Sequence, residues 1–190
     1  MDFQAEREIR NELKGHESLL WAGKPRQGLR LTVGDALMIP FSLMWCGFAV
    51  VWEVTAIRAG GPFFFVLWGL PFVAVGLYLV FGRFFADAYR RGRTFYGLTG
   101  ERVLIVTLVR ARKVESLGLT GLSQVELTEK AQRRGSIRFG AQAPMQAWFA
   151  SSGWPGASRG APPSFEDIDD ARDVYDRLQR AQEELRRARV

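Results

Sequence analysis

Gly156-Ala157-Ser158-Arg159-Gly160 spells the G-x-S-x-G string of a nucleophile elbow, where a serine sits on a strained strand-to-helix turn and a downstream histidine takes its proton. The chain has one histidine, His16, and it lies far upstream. Ser158 is surrounded by Gly, Ser and Pro, which supply neither the strand nor the helix, so hydrolase chemistry is not expected there. Gly97-Leu98-Thr99-Gly100 and Gly118-Leu119-Thr120-Gly121 repeat one string. A G-x-x-G loop clamps a nucleic-acid backbone when it joins two helices, but both copies fall among strand-like runs and read as turns. Cys46 is the only cysteine, so no intramolecular disulfide and no Cys-based metal site can form. With a single histidine as well, the commonest metal ligand and general base is missing from most of the chain. The residues therefore point to no catalytic, cofactor or metal site, and the chain reads as a non-enzyme.

Glu53 and the basic residues remain. Between Asp35 and Arg83 the only charges are Glu53 and Arg58, and an acid inside an apolar span is a functional candidate by default. Glu53 lies about one turn from the outer end of its span, where it is expected to reach the interface or approach Arg58. Residues 83–113 hold eight Arg/Lys against two acids, a surplus that equals the net charge of +6 for the whole chain. Cations of this kind mark the retained side of a membrane span and attract anionic lipid. A specific headgroup pocket would need several to converge. Arg110, Arg112 and Lys113 on one turn, with Lys130, Arg133 and Arg134 on another, are the candidates for an anionic-lipid surface. Nucleic acid is not an expected partner, because the surplus sits beside a span and the segment after Pro163 carries eight acids against six arginines.

The elements that must hold these residues divide sharply. Ala36 to Trp52 is uncharged and, extended through Glu53 to Ile57, gives about 22 residues, enough to cross a hydrocarbon core. Ala59 to Gly82 carries no charge. Two spans are expected, about 36–57 and 62–82, in a hairpin over 35–83. Lys24, Arg26 and Arg30 precede the first and Arg83, Arg90, Arg91 and Arg93 follow the second, while the link offers Arg58 alone. Both termini are therefore expected on the cytoplasmic side. Charges crowd the first thirty residues, so no cleaved signal peptide is expected. Gly69 and Gly76, seven residues apart, share a face and should let the second span approach the first near Gly47. Homo-oligomerisation through that face stays open, and Pro40 and Pro71 are potential kinks.

Residues 1–34 read as a cytoplasmic helix and strand. The helix, over 2–14, carries Ala5, Ile9 and Leu13 on one face with Asp2 as a cap; it either lies on a membrane surface or packs on the C-terminal domain. Residues 18–25 form a strand-like run that needs a partner. From Thr94 the pattern turns to short strands, Phe95–Leu98 and Val103–Val109 around a 99–102 turn, then Lys113–Leu119, Leu122–Thr128 and Ser136–Phe139, at the spacing of a small barrel or sandwich. Residues 150–164 are small, Gly- and Pro-rich and read as a flexible loop. A helix over 169–187 has Ala171, Val174, Tyr175, Leu178, Ala181 and Leu185 on one face and charges that match its dipole.

Tyr96-Gly97-Leu98-Thr99-Gly100-Glu101-Arg102-Val103 resembles the aromatic-x-Leu-Thr-x-x-Arg-Val hairpin of the bacterial pleckstrin-homology-like membrane proteins. Ser116-Leu117-Gly118-Leu119 resembles that family's next short apolar strand, and Gly135-Ser136-Ile137-Arg138-Phe139 its Gly-x-Ile-x-Phe strand. Phe165 and Ile168 with the following helix resemble the closing segment, and Glu17–Gly23 a run found before the hairpin. The likeness covers roughly the whole chain, though the 150–164 loop departs from the compact pattern. It implies a transmembrane helical hairpin plus a small β-rich, pleckstrin-homology-like barrel or sandwich over 94–190, closed by a C-terminal amphipathic helix, in a bacterial inner membrane. The function expected on these grounds is a membrane-anchored binding or scaffolding module facing the cytoplasmic leaflet, with membrane lipids and an unidentified protein as partners. The alternative is an accessory structural subunit of a larger membrane assembly.

Overall fold

Asp2 starts the first helix, α1 (Phe3–Arg10), by accepting hydrogen bonds at Oδ1 from the backbone N–H of Gln4 at 2.9 Å and Ala5 at 3.3 Å, which satisfies two of the donors a helix start leaves open. The computed structural model describes residues 2–28, 31–32, 34–130, 132–141, 145–146 and 161–188. After α1 come β1 (Leu19–Gly23), α2 (Asp35–Arg58), α3 (Phe63–Leu77), a π-helical turn (Tyr78–Gly82) and α4 (Arg83–Gly92). Six strands follow, β2 (Thr94–Thr99), β3 (Arg102–Leu108), β4 (Arg112–Gly118), β5 (Val125–Glu129), β6 (Gly135–Phe139) and β7 (Ser164–Ile168), and then α5 (Ala171–Arg187). Of the expected 150–164 loop, residues 150–160 lie outside the described residues, and Ser164, placed in it by sequence, instead begins β7.

Two compact units result. The first gathers the described residues up to Gly28, those from Tyr89 to 141 and those from Pro162 onward. It contains two antiparallel sheets, ordered β1-β2-β3-β4 and β5-β6-β7. The 18–25 run thus finds its partner in β2, pairing Ala22 with Gly97 and Gly23 with Tyr96. Among the described residues the sheets do not close into a barrel.

Strands β2 and β3 of the four-stranded sheet are buried on both faces, which explains their unbroken apolar runs, whereas the edge strand β4 is largely exposed. Successive side chains point to opposite sides. Phe95, Leu104 and Val106 join Ala22 against Ala5 and Ile9 of α1. Tyr96, Leu98, Val103 and Ile105 point the other way, to Ile137, Phe139, Phe165 and Ile168 and to Ala171, Val174, Leu178 and Ala181 of α5. Helix α1 therefore packs on the sheet, which decides between the two placements its stripe allowed. Phe165 is central to the larger core, with ring centroids 4.7 Å from Tyr96, 5.1 Å from Phe139 and 5.5 Å from Trp21. The Tyr96 hydroxyl accepts from the Glu166 N–H at 3.2 Å, giving the buried phenol a polar partner.

The second unit holds the helical hairpin, over the described residues from 31 to 88, together with the described residues 145–146 and 161. Residues 59–62 reverse the chain. The N–H groups of Ala59, Gly60 and Gly61 donate to Thr55, Ile57 and Ala56, and Gly60 sits at φ +66°, the left-handed conformation that commonly ends a helix. Pro40 and Pro71 remain inside α2 and α3.

Gly97 is the position on which α1 docking turns. A Cβ there would stand 2.5 Å from Ile9 Cγ2, so Gly97→Ala should destabilise the first unit by about 1–3 kcal/mol through overpacking, read as a lower midpoint of denaturant unfolding. Adding Ile9→Ala should recover part of that loss, whereas independent additive losses would show that Gly97 and Ile9 do not share the site.

Candidate functional site

The six basic residues singled out by sequence occupy two turns, and most are held by acids of the same chain. Arg112, at the start of β4, pairs with Glu12 at 2.7 Å and Glu8 at 3.3 Å, so its charge pins the end of α1. Lys113 pairs with Glu115 on its own strand. Lys130 meets Asp167 at 3.4 Å, and Arg133 reaches Asp170 at 3.0 Å and Asp173 at 3.1 Å. Arg134 donates to the Gln132 side-chain oxygen. Arg110 is exposed, and among the described residues no ion pair holds it. Among the described residues no hydrogen bond or ion pair links one turn to the other: Arg112 is drawn to α1 and the residues after it, and Arg133 to the start of α5. Each side chain could be read from the sequence as a cation. The acids that hold Arg112, Lys130 and Arg133 could not, because they come from segments far away in sequence.

A stronger electrostatic element joins residues that sequence reasoning had treated as parts of a motif only. Arg102 donates from Nε to Glu17 Oε1 at 2.7 Å and from Nη2 to Glu17 Oε2 at 2.9 Å. The same guanidinium donates to the Glu12 carbonyl at 2.9 Å and the Ser116 hydroxyl at 3.1 Å. This two-pronged geometry matches the guanidinium fork to a carboxylate. The Glu17 side chain is fully buried and that of Arg102 is 17% exposed. Arg102 thereby fastens the segment before β1 onto β3 and β4. The hydrogen bonds from Arg102 hold the Glu17 carboxyl below its ordinary value, ahead of the opposing effect of burial. At the other end of β1 and β2, Arg91 is 4% exposed and donates to the carbonyls of Arg26 at 2.7 Å and Gly28 at 2.6 Å, fixing the chain that leaves β1.

In α2 and α3 the buried residues are small or polar, and the π-helical turn adds buried Leu79. Helix α2 buries Asp35, Ser42, Ala49 and Glu53, and α3 buries Gly69 and Gly76. At Gly76 an added Cβ would lie 2.9 Å from Cys46 Cα, whereas at Gly47 nothing stands within 4 Å. The close approach expected at Gly47 is thus made one residue earlier, at Cys46, because Gly47 faces open space. Where the hairpin begins and ends, Asp35 Oδ1 lies 2.6 Å from Arg83 Nη1, with 7% and 3% of the side chains exposed. The other Asp35 oxygen accepts from the Thr32 N–H at 2.5 Å and hydroxyl at 2.8 Å. Sequence reading saw these two residues as the limits of an apolar stretch and missed that they meet.

Glu53 departs from expectation. It is 6% exposed and does not pair with Arg58. Its carboxylate fills the space where a Gly69 side chain would stand, and among the described residues neither oxygen has a hydrogen-bond partner. Facing inward against a glycine, the side chain cannot follow the helix surface to its end.

Among the described residues no group of His, Cys, Asp and Glu is arranged to hold a metal ion. Comparison with family models, with curated proteins and with solved structures finds no match for this chain.

The Arg102 and Glu17 pair sets a pH dependence. Because the folded value of Glu17 lies below its unfolded one, its contribution is fully present above the ordinary carboxylate range and is lost as pH falls through the lowered value. Arg102→Ala should cost about 3 kcal/mol at neutral pH by leaving a buried carboxylate alone. It should also remove the part of the acid-side stability slope that Glu17 supplies, measured by chemical denaturation between neutral and acidic pH. An unchanged slope would show that the pair does not carry it.

Proposed function

We propose that this chain is a membrane-anchored binding module of the pleckstrin-homology-like kind, whose hairpin crosses a bacterial inner membrane twice and whose domain recognises a partner at the cytoplasmic leaflet. One observation carries the reading. The strands β1 and β2 lie on either side of the hairpin in sequence yet pair with each other, so the chain must return to the side from which it left. An even number of crossings follows for any membrane embedding of the hairpin.

The hairpin surface supports lipid as its surroundings. Helix α2 is 24 residues long and holds an 18-residue window of mean hydropathy 1.7, and the helical stretch Phe63–Gly92 holds one of 2.2. At a rise of 1.5 Å per residue, α2 extends about 36 Å, more than a hydrocarbon core needs. The seam between the helices holds Ser42, Ala49, Gly69 and Gly76, while Phe48, Trp52, Phe63, Phe64 and Trp68 are exposed. Water would favour the reverse arrangement. In lipid, small residues let backbones approach and large apolar side chains face the acyl chains. Lys24, Arg26, Arg90, Arg91 and Arg93 flank the hairpin and suit the cytoplasmic side.

A four-stranded sheet, a three-stranded sheet and a C-terminal helix, with the Tyr96–Val103 hairpin at the β2–β3 turn, support the pleckstrin-homology-like assignment. Internal pairing of Arg112, Lys113, Lys130 and Arg133 favours a protein partner over a dedicated lipid-headgroup pocket, with anionic lipid contributing through the flanking cations.

Because the hairpin interrupts the domain between paired strands, it can be exchanged. Replacing residues 35–88 by an unrelated two-span hairpin of equal length should leave the same partner cross-linked through Lys113 and Lys130 in native membranes. Loss of that partner on exchange would assign recognition to the spans and make the chain an accessory subunit of a larger assembly.

A further inference from the structure

Two apolar helices enclose one carboxyl group that nothing among the described residues neutralises. Glu53 is buried to within 6% of its surface and neither oxygen finds a donor. On its own helix, Cys46 stands seven residues before it and exposed Arg58 five residues after it, and Arg58 makes no ion pair with it. Helix α3 brings no charged side chain between Phe63 and Leu77, and the nearest titratable group beyond it is Tyr78 in the π-helical turn. Asp35 and Arg83 are engaged with each other where the hairpin begins and ends. What faces the carboxyl is Gly69, whose missing side chain makes the notch it occupies. An ionised carboxylate in apolar surroundings is far costlier than the neutral acid when no cation or donor accompanies it.

We propose that Glu53 is a proton-binding site within the hairpin, standing against Gly69 as the neutral acid. The inference rests on the hairpin being embedded in a membrane. Its ligand is a proton and nothing larger, because both oxygens are enclosed and the notch has the size of one absent side chain. A metal cation would need several oxygen ligands, and the facing helix offers no charged one. Release of the proton obliges the carboxylate to leave the notch for water near Arg58, about 7.5 Å along the helix. Deprotonation and separation of the helices at this end are then a single event.

The test uses the full chain in phosphatidylcholine vesicles, first floated on a density gradient, then treated with dicyclohexylcarbodiimide from pH 6 to 10 and digested for mass spectrometry. A neutral carboxyl gives its proton to a carbodiimide nitrogen while its oxygen adds to the central carbon. An oxygen-to-nitrogen acyl shift then leaves an N-acylurea, with every atom of acid and reagent retained. The expected result is an adduct at Glu53 at neutral pH that declines in alkali and is lost in Glu53→Gln, while a water-soluble carbodiimide with an added amine modifies exposed Glu126 and Asp173 but spares Glu53. Gly69→Ala, which closes the notch, should reverse the preference of residue 53 between the two reagents. Infrared spectra of the unaltered chain, labelled with carbon-13 glutamate, should show a neutral carboxyl stretch at neutral pH, whatever the variants do to folding. A chain that floats but gives neither adduct nor neutral-acid band overturns the proposal alone. A chain that does not float overturns the membrane reading and the proposal with it.

Discussion

The pairing of β1 with β2 is the constraint on which the remaining organisation depends. An isolated five-residue strand is not stable, and β1 obtains its place only by joining a sheet whose other strands lie beyond the hairpin. That pairing closes a loop of more than seventy residues in sequence, from Gly23 opposite Tyr96. Loop closure of this length costs little more than that of a far shorter one, and the apolar contacts of Ala22, Phe95 and Leu104 with Ala5 and Ile9 offset it. The Arg102 fork on Glu17 fixes the same segment from the opposite end of β1. Arg177 of α5 donates to the Leu20 carbonyl at 3.1 Å, so the C-terminal helix is tied to the strand as well. Removal of the N-terminal segment would therefore expose one face of the sheet and the edge of β2. A fragment beginning at Thr94 is not a complete domain.

The hairpin follows a different rule of packing. Its seam is made of residues too small to fill space, so backbones meet at Gly76 and Cys46 rather than side chains interlocking. Close approach leaves little room for polar groups, and the two buried acids are handled in opposite ways. Asp35 is neutralised by Arg83 and hydrogen-bonded by Thr32. Glu53 is accommodated by the absence of a side chain at Gly69. Under the proposed membrane reading, the first is a paired charge at the retained side and the second a buried acid nearer the link.

Much of this was legible in the residues. The charge-free runs gave both long helices, and the 99–102 turn and the Gly118–Gly121 string gave the limits of three strands, since local chain chemistry decides turns; Gly97–Thr99, read as part of a turn string, belongs to β2 instead. The apolar face of α5 was visible as a repeat. Ser164–Ile168 was not read as a strand. Its single register of apolar Phe165 and Ile168 around two acids gives a weak local signal, and its partner β6 is far upstream. The same limit applies to the charged residues. Arg112, Arg133 and Arg83 read as free cations because the acids that neutralise them, Glu12, Asp170 and Asp35, are distant in sequence. Glu53 was found by its type alone. Its direction depends on which face of α2 meets Gly69, and a helix with apolar residues on every side does not announce that face.

The central claim is that the domain and both chain ends lie on one side of a membrane that the hairpin crosses twice. It is tested most directly by single cysteines placed at Gly15, Ala59 and Ala188 in a Cys46→Ser background, each probed with a membrane-impermeant maleimide in sealed, inside-out membrane vesicles. Gly15 and Ala188 are exposed, with open space around Gly15, and Ala59 lies in the exposed link. The account predicts that residues 15 and 188 react in intact vesicles and residue 59 reacts only after they are opened. Reaction of residue 15 and residue 188 from opposite sides would contradict it, because β1 and β2 could not then belong to one sheet.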